Sequence, residues 1–221
     1  MCGRFSLATT KEKLQKQLPF LEEIGEVKDN YNVAPTQHSY VVTDDQPQVL
    51  QAFKWGLVPF WAKDPKIGSK LINARMEGIE EKPAFRTAIR KRKCLVPADS
   101  FYEWKKTDGS KTPYRILLKN GNLICFAGIW ETWDHEGQPL HSFSIITTQP
   151  NKEMASIHDR MPVVLHTSKL QQAWLAEQDL DKTLAMLESP PDGILEMYPI
   201  SSLVNSPKNN SPELHEKAGE G

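Results

Sequence analysis

The chain has 221 residues, 39% hydrophobic and 25% charged, with 27 Lys and Arg against 28 Asp and Glu for a net charge of -1. That length and balance fit one soluble globular domain and exclude a disordered or fibrous chain. No stretch approaches the roughly 18 consecutive apolar residues of a membrane span, and Cys2, Cys94 and Cys125, with no Cys-X-X-Cys pair among them, argue against a disulfide framework or a zinc site.

In chain order, Thr9 opens a capping-box pattern with Glu12, and Leu14 and Leu18 follow it. This predicts a short helix that ends before Pro19. Tyr40 to Val42 and Val49 to Phe53 read as strands around the polar turn Asp44-Asp45-Gln46-Pro47. Pro83 to Lys93 carries helical spacing at Phe85, Ile89 and Arg92 behind a starting proline, which predicts a basic surface helix. Further strands are predicted at Cys94 to Val96, Phe101 to Trp104, Tyr114 to Leu118, Leu123 to Trp130 and Phe143 to Thr147, with Asp108-Gly109 and Asn120-Gly121 as turns between them. Ser168 to Glu177 and Asp181 to Leu187 read as helices. Trp61, Trp130, Trp133 and Trp174 are expected in the core.

After Leu203 the chain turns polar, and 208–221 is expected to be a flexible tail behind a domain at 1–207. Strands so closely spaced leave no room for repeated crossover helices. The expected architecture is therefore a single α+β domain whose curled, mostly antiparallel or mixed sheet is flanked by helices. Nothing at the N-terminus resembles the basic-then-apolar pattern of a secretory signal, so the expected location is cytoplasmic.

The near-zero net charge is a sum of unlike parts. Residues 82–119 hold eleven basic and three acidic side chains, a local +8 that leaves -9 elsewhere. Neutrality overall is therefore no argument against a polyanionic partner, although such a run also suits a merely solvated face.

Chemistry concentrates at Cys2. Initiator methionine is generally removed when residue 2 is small, and removal of Met1 would place an α-amine and a thiol on adjacent carbons. An α-amine of reference pKa about 7.7–8.0 is partly neutral at cellular pH, and a thiol of about 8.5 is partly ionised. Such a 1,2-aminothiol condenses with an aldehyde to an imine, which the sulfur then closes to a thiazolidine. The same pair also suits an N-terminal-cysteine thiol peptidase. Three other segments offer polar groups: Asn73 and Arg75 just after a short apolar run, Glu103 flanked by Phe101, Tyr102 and Trp104, and His158 beside Asp159 and Arg160 in a loop stopped by Pro162. If Glu103 faces inward it is suited to proton transfer.

Together, Met1-Cys2-Gly3-Arg4-Phe5, Tyr31-Asn32-Val33-Ala34-Pro35-Thr36, Trp55-Gly56-Leu57-Val58-Pro59, Ile72-Asn73-Ala74-Arg75-Met76-Glu77, Phe101-Tyr102-Glu103-Trp104 and Ile157-His158-Asp159-Arg160-Met161-Pro162 resemble the ordered motifs of the SOS response-associated peptidase (SRAP) family of abasic-site processing proteins. The resemblance runs from residue 2 to about Pro207. It implies the barrel-like SRAP fold and an abasic-site sensor that binds single-stranded DNA and cross-links to it through Cys2, with a possible lyase activity, or the thiol autopeptidase activity of the family's name. By the same resemblance Cys2, Asn73, Glu103 and His158 would be catalytic, and Arg4, Asn32, Trp55, Arg75, Phe101, Trp104 and Arg160 would contact DNA. It implies no cofactor, no metal and no membrane partner, a monomer, and association with the nucleoid when bound to DNA. A non-covalent reader of modified bases is the remaining alternative, for which the aromatics would suffice.

Overall fold

The computed structural model describes residues 2–107 and 109–219; Met1 and the Asp108 of one expected turn lie outside them. The chain forms β1 (Phe5–Leu7), α1 (Lys11–Gln17), β2 (Asn30–Val33), β3 (His38–Thr43), β4 (Gln51–Trp55), β5 (Asn73–Arg75), α2 (Ala88–Lys91), β6 (Lys93–Ala98), β7 (Ser100–Thr107), β8 (Ser110–Leu118), β9 (Ile124–His135), β10 (Gln138–Thr148), α3 (Lys152–Ala155), β11 (Met161–Pro162), α4 (Ser168–Ala176), α5 (Leu180–Ala185) and β12 (Leu195–Pro199). Among the described residues the strands form two sheets, one ordered β12-β8-β7-β1-β2. In the other, β10, β4, β3, β6 and β9 pair in succession, and β9 pairs back onto β10 to close a barrel-like ring. Pairing is antiparallel except where β10 runs parallel to β4 and β5. The expected curled, mixed α+β domain is the one observed.

Two-residue alternation explains how the ring is filled. Cys94 and Val96, Ile124 and Phe126, and Phe143 and Ile145 point into one cluster, shared with Phe5, Phe101 and Ile116 of the first sheet. Their neighbours Leu95, Cys125, Ala127, Ile129 and Ile146 point into a second cluster, beneath Leu14 of α1, Leu18 at its C-terminal end and Trp174 of α4. Strands β6 and the first two thirds of β9 are consequently buried on both faces. They read in sequence as unbroken apolar runs rather than alternating ones.

Several local expectations are corrected. Thr10, not Thr9, caps α1, its hydroxyl accepting from the Lys13 amide at 3.2 Å. The basic helix expected from Pro83 to Lys93 shrinks to Ala88–Lys91: turns occupy 83–87, and at the other end β6 begins at Lys93 and claims its backbone for pairing with Ile129. Lys93 itself is buried, and burial lowers its pKa. Asn120-Gly121 joins strands of different sheets and closes no hairpin. β7 and β8 pair antiparallel out to Thr107 and Ser110, and a further hairpin joins β9 to β10 through Glu136 (φ 54°) and Gly137 (φ 79°), with Asp134 accepting from the Gly137 amide at 2.9 Å. Both residues are in the left-handed region that matches the twist of paired strands.

The residues after 207, expected as a free tail, lie against the outer face of the first sheet as far as they are described. Leu214 is fully buried beside Tyr102, Ile200 and Val204, a burial that contributes about 1.5–3 kcal/mol. Asn210 accepts from the Tyr31 amide at 2.7 Å, and the Ala218 amide donates to the Pro199 carbonyl at 2.9 Å. His215 reaches the Ser6 hydroxyl at 3.1 Å; burial lowers its pKa to about 4, so it is neutral at neutral pH.

Candidate functional site

Cys2 lies three residues before the start of β1, and its side chain is fully buried in the cluster that holds Phe5, Trp55, Phe101 and Ile157. Asn73 is carried to it by a loop that folds sharply back on itself. At Gly56 (φ 124°) a Cβ would meet the Gly68 carbonyl oxygen at 2.5 Å, so only glycine permits that approach. The Leu57 amide donates to Leu71, the Trp55 indole donates to the Ile72 carbonyl at 2.9 Å, and β5 then pairs with β10, Asn73 opposite Ile145. So held, Asn73 donates from Nδ2 to the Cys2 carbonyl at 2.7 Å, while its buried Oδ1 receives no hydrogen bond from a described residue.

Glu103 comes from β7, which pairs with β1 through Phe5 and Phe101. Alternation along β7 sends Phe101 and Glu103 inward and Tyr102 and Trp104 outward toward Ile200 and Val204. Glu103 is therefore only 3% exposed. Burial first, and the Glu103 charge second, push the Cys2 thiol far above its usual pKa. In this state residue 2 carries a protonated thiol rather than a thiolate.

His158 follows α3, which Asn151 caps by accepting from the Met154 amide at 3.0 Å. The His158 amide donates to the Met154 carbonyl at 2.9 Å, and its Nδ1 accepts from the Arg160 amide at 3.0 Å with Asp159 Oδ1 2.8 Å away. Neighbouring Ile157 packs in the Cys2 cluster. This loop is fastened to β5 and β10 by Arg160, whose two terminal nitrogens donate to the two carboxylate oxygens of Glu77 at 2.6 and 2.9 Å and to the Thr147 carbonyl at 2.7 Å.

The Arg160 side chain is 8% exposed and Glu77 half-exposed. Arg160 lowers the Glu77 carboxyl to about 2. A depressed carboxylate stabilises the fold above its unfolded pKa and loses that contribution as pH falls through the folded one. Glu77→Gln should cost about 1–3 kcal/mol at neutral pH by leaving Arg160 without its anion. It should also remove the loss of stability that the wild type undergoes as pH drops from 4.5 toward about 2. Urea midpoints across that range check both, and unchanged midpoints would mean that the pair holds nothing.

The expected DNA contacts divide. Trp55 and Phe101 are fully buried and present no ring face to a base. Asn32 is buried too, and donates to the Ser206 and Asn209 carbonyls at 3.0 and 2.8 Å; it anchors the C-terminal segment instead. Arg160 has its donor fork committed to Glu77 and Thr147 and is no phosphate clamp. Arg4 is half-buried, one terminal nitrogen shared by the Asn32 Oδ1 and the Val204 carbonyl at 2.7 Å each, and its guanidinium lies 6.0 Å from the Trp104 ring centre. Trp104, itself half-buried, donates to Asn205 at 2.7 Å. Arg75 alone of these is exposed.

Two exposed aromatics differ from the sequence reading, which expected Trp61 in the core and did not single out Phe60. Phe60 and Trp61 are 54% and 49% exposed, and Trp61 opens a groove of about 610 Å³ with Lys63, Lys66 and Lys70. Trp61 is thus not in the core, whereas Trp174 is. The signal was available, since aromatics beside Pro59 in a lysine-bearing loop have no periodicity to bury them. No described helix is long and apolar enough to cross a membrane. No cluster of three or more His, Cys, Asp or Glu placed to hold a metal occurs among the described residues.

Residues 1–207 match a family model described as SOS response associated peptidase (SRAP). The chain is similar to the abasic site processing protein YoqW of Bacillus subtilis, 49% identical over 98% of this chain and 99% of that one. It is also similar to the abasic site processing protein HMCES of Xenopus tropicalis, 28% identical over 96% of this chain and 77% of that one. Among solved structures, a crystal structure of a protein from Bacteroides thetaiotaomicron aligns with a TM-score of 0.89 at 27% identity, covering 98% of this chain and 100% of that one.

Proposed function

The chain belongs to the SOS response associated peptidase (SRAP) family, and from that premise we propose that it processes abasic sites in single-stranded DNA by a covalent thiazolidine cross-link through Cys2 once Met1 is removed. The observation that carries the reading is the hydrogen bond from Asn73 to the Cys2 carbonyl, which fixes the residue 2 backbone in a buried position beside Glu103. A ring-opened abasic deoxyribose presents an aldehyde at C1′. The Cys2 amine adds to it, and loss of one water gives the imine. The thiol then adds across the C=N bond, its proton passing to the nitrogen. Glu103 carries protons between these steps, His158 serves the sugar hydroxyl released by ring opening, and Asn73 positions the nucleophile. The imine also offers a route to strand cleavage by elimination.

A thiol held protonated by burial suits this order, amine first and sulfur second. It is a poor starting point for a thiol peptidase, which needs the thiolate. Exposed Arg75, exposed Phe60 and the groove of Trp61 with Lys63, Lys66 and Lys70 are the surfaces suited to phosphates and stacked bases. Duplex DNA is disfavoured, because extruding a nucleotide costs a few kcal/mol. Cytosolic exposure of single strands would supply the substrate.

The test is intact mass after mixing the protein with an abasic single-stranded oligonucleotide, an intact one and an abasic duplex. An adduct of protein plus oligonucleotide minus one water is expected with the abasic strand, slower with the duplex and absent with the intact strand. No adduct, or one equally abundant on intact DNA, would refute the reading.

A further inference from the structure

On the outer side of the barrel, away from the Cys2 cluster, α1, the start of β9 and α4 line an open cavity of about 660 Å³. Its lining is cationic and polar: Lys13 and Lys16 from one wall, His166 and the N-terminus of α4 from the other. Glu12 also lines it and is ionised, its carboxylate held below the usual range by its own backbone amide and the Thr10 hydroxyl at the start of α1, so one negative charge stands against the two lysines. Helix α4 spans nine residues, and its cap Thr167 accepts from the Leu170 amide, which leaves the amides of Ser168 and Lys169 as first-turn donors with the positive end of the helix dipole behind them.

A second feature points to a ligand independently. Gln171, only 6% exposed, lines the same cavity; its Nε2 donates to the Leu165 carbonyl at 2.9 Å, and its buried Oε1 receives no hydrogen bond from a described residue. Exchanging the amide oxygen and nitrogen would set two oxygens against each other at Leu165, so it is the acceptor that lacks a donor. His166 Nδ1 is likewise buried without a partner among the described residues. The amides and lysines call for an anion, and Gln171 calls for a hydroxyl. The volume is that of a small-molecule site and exceeds what a bare phosphate fills.

We propose that this cavity binds a small phosphate monoester of sugar size, its phosphate on the Ser168 and Lys169 amides with Lys13 and Lys16, and a hydroxyl donating to Gln171. It is a site separate from the Cys2 chemistry and does not depend on that reading.

The experiment is an amide-resolved NMR titration with ribose 5-phosphate, inorganic phosphate and ribose, on the wild type, Ser168→Pro and the double variant Lys13→Gln/Lys16→Gln. Proline is tolerated at the first helical position, and Thr167 is already extended (φ -130°, ψ 149°), so Ser168→Pro removes one donor and keeps the helix. Saturable shifts of the Ser168 and Lys169 amides with ribose 5-phosphate, in the millimolar range or tighter, are expected. Inorganic phosphate should bind about tenfold more weakly, ribose should not bind, and each variant should lose about tenfold. Resonances far from the cavity report whether each variant is folded. Absence of a saturable shift up to about 10 mM, shifts equal in the variants, or ribose 5-phosphate binding no better than inorganic phosphate would each overturn the proposal.

Discussion

Cys2→Ala is expected to lose the heat-stable adduct with abasic single-stranded DNA by at least about 100-fold while still forming an imine that borohydride traps. The alanine variant keeps the terminal amine and lacks only the sulfur that closes the ring. Cys2→Ser should behave in the same way, because a hydroxyl closes the corresponding oxygen ring less readily and releases it more easily. A variant with glycine inserted between Met1 and Cys2 tests the other half. It retains the thiol but converts the cysteine nitrogen to an amide, and it pushes residue 2 out of register with Asn73. Stable adduct should be absent there too. Since Cys2 is fully buried, each variant is compared with the wild type by thermal melting, so that loss of reaction is read only from folded protein. A heat-stable adduct of equal yield from Cys2→Ala would end the aminothiol mechanism outright.

Much of the fold was readable because its strands carry two unlike apolar faces. Cys94 to Val96 and Leu123 to Trp130 are nearly continuous hydrophobic runs, and such runs predict strands buried on both sides. Which strand lies beside which was not readable. β10 pairs in parallel with β4 through Phe143 and Trp55, 88 positions apart, and no local pattern encodes that contact. The site was legible by residue type and not by exposure. Asn73, Glu103 and Cys2 meet, since Asn73 at the start of β5 bonds the Cys2 carbonyl and β7 turns Glu103 inward. Trp55, Phe101 and Asn32 carry the same motif signal, yet they hold the frame on which those groups stand. Adjacent motif positions on a strand face opposite ways, and from sequence alone nothing says which way is out. The tail misled for a related reason. One buried leucine, one histidine and a few amide hydrogen bonds fasten a polar segment whose average composition suggests none of it.

Glu103→Gln separates two roles that one carboxylate can play. The glutamine has nearly the same shape and keeps hydrogen-bonding capacity, but it cannot take up and release a proton, so imine formation and ring opening should slow by about 10²–10⁴. Affinity for abasic or intact single-stranded DNA, read by fluorescence anisotropy, should stay within about threefold, because Glu103 lies in the interior. The same change removes one of the two causes that raise the Cys2 thiol pKa, leaving burial as the main one. Thiol alkylation should therefore begin at lower pH in Glu103→Gln than in the wild type, whichever way the cross-linking rate moves. The two measurements pull in opposite directions. If Glu103 merely held the thiol protonated, the variant would free the sulfur and cross-link faster than wild type. If Glu103 carries protons, the variant has the more acidic thiol and still reacts more slowly. Faster cross-linking would remove the proton-transfer role, and loss of DNA affinity together with a lower melting temperature would make Glu103 part of the frame rather than of the chemistry.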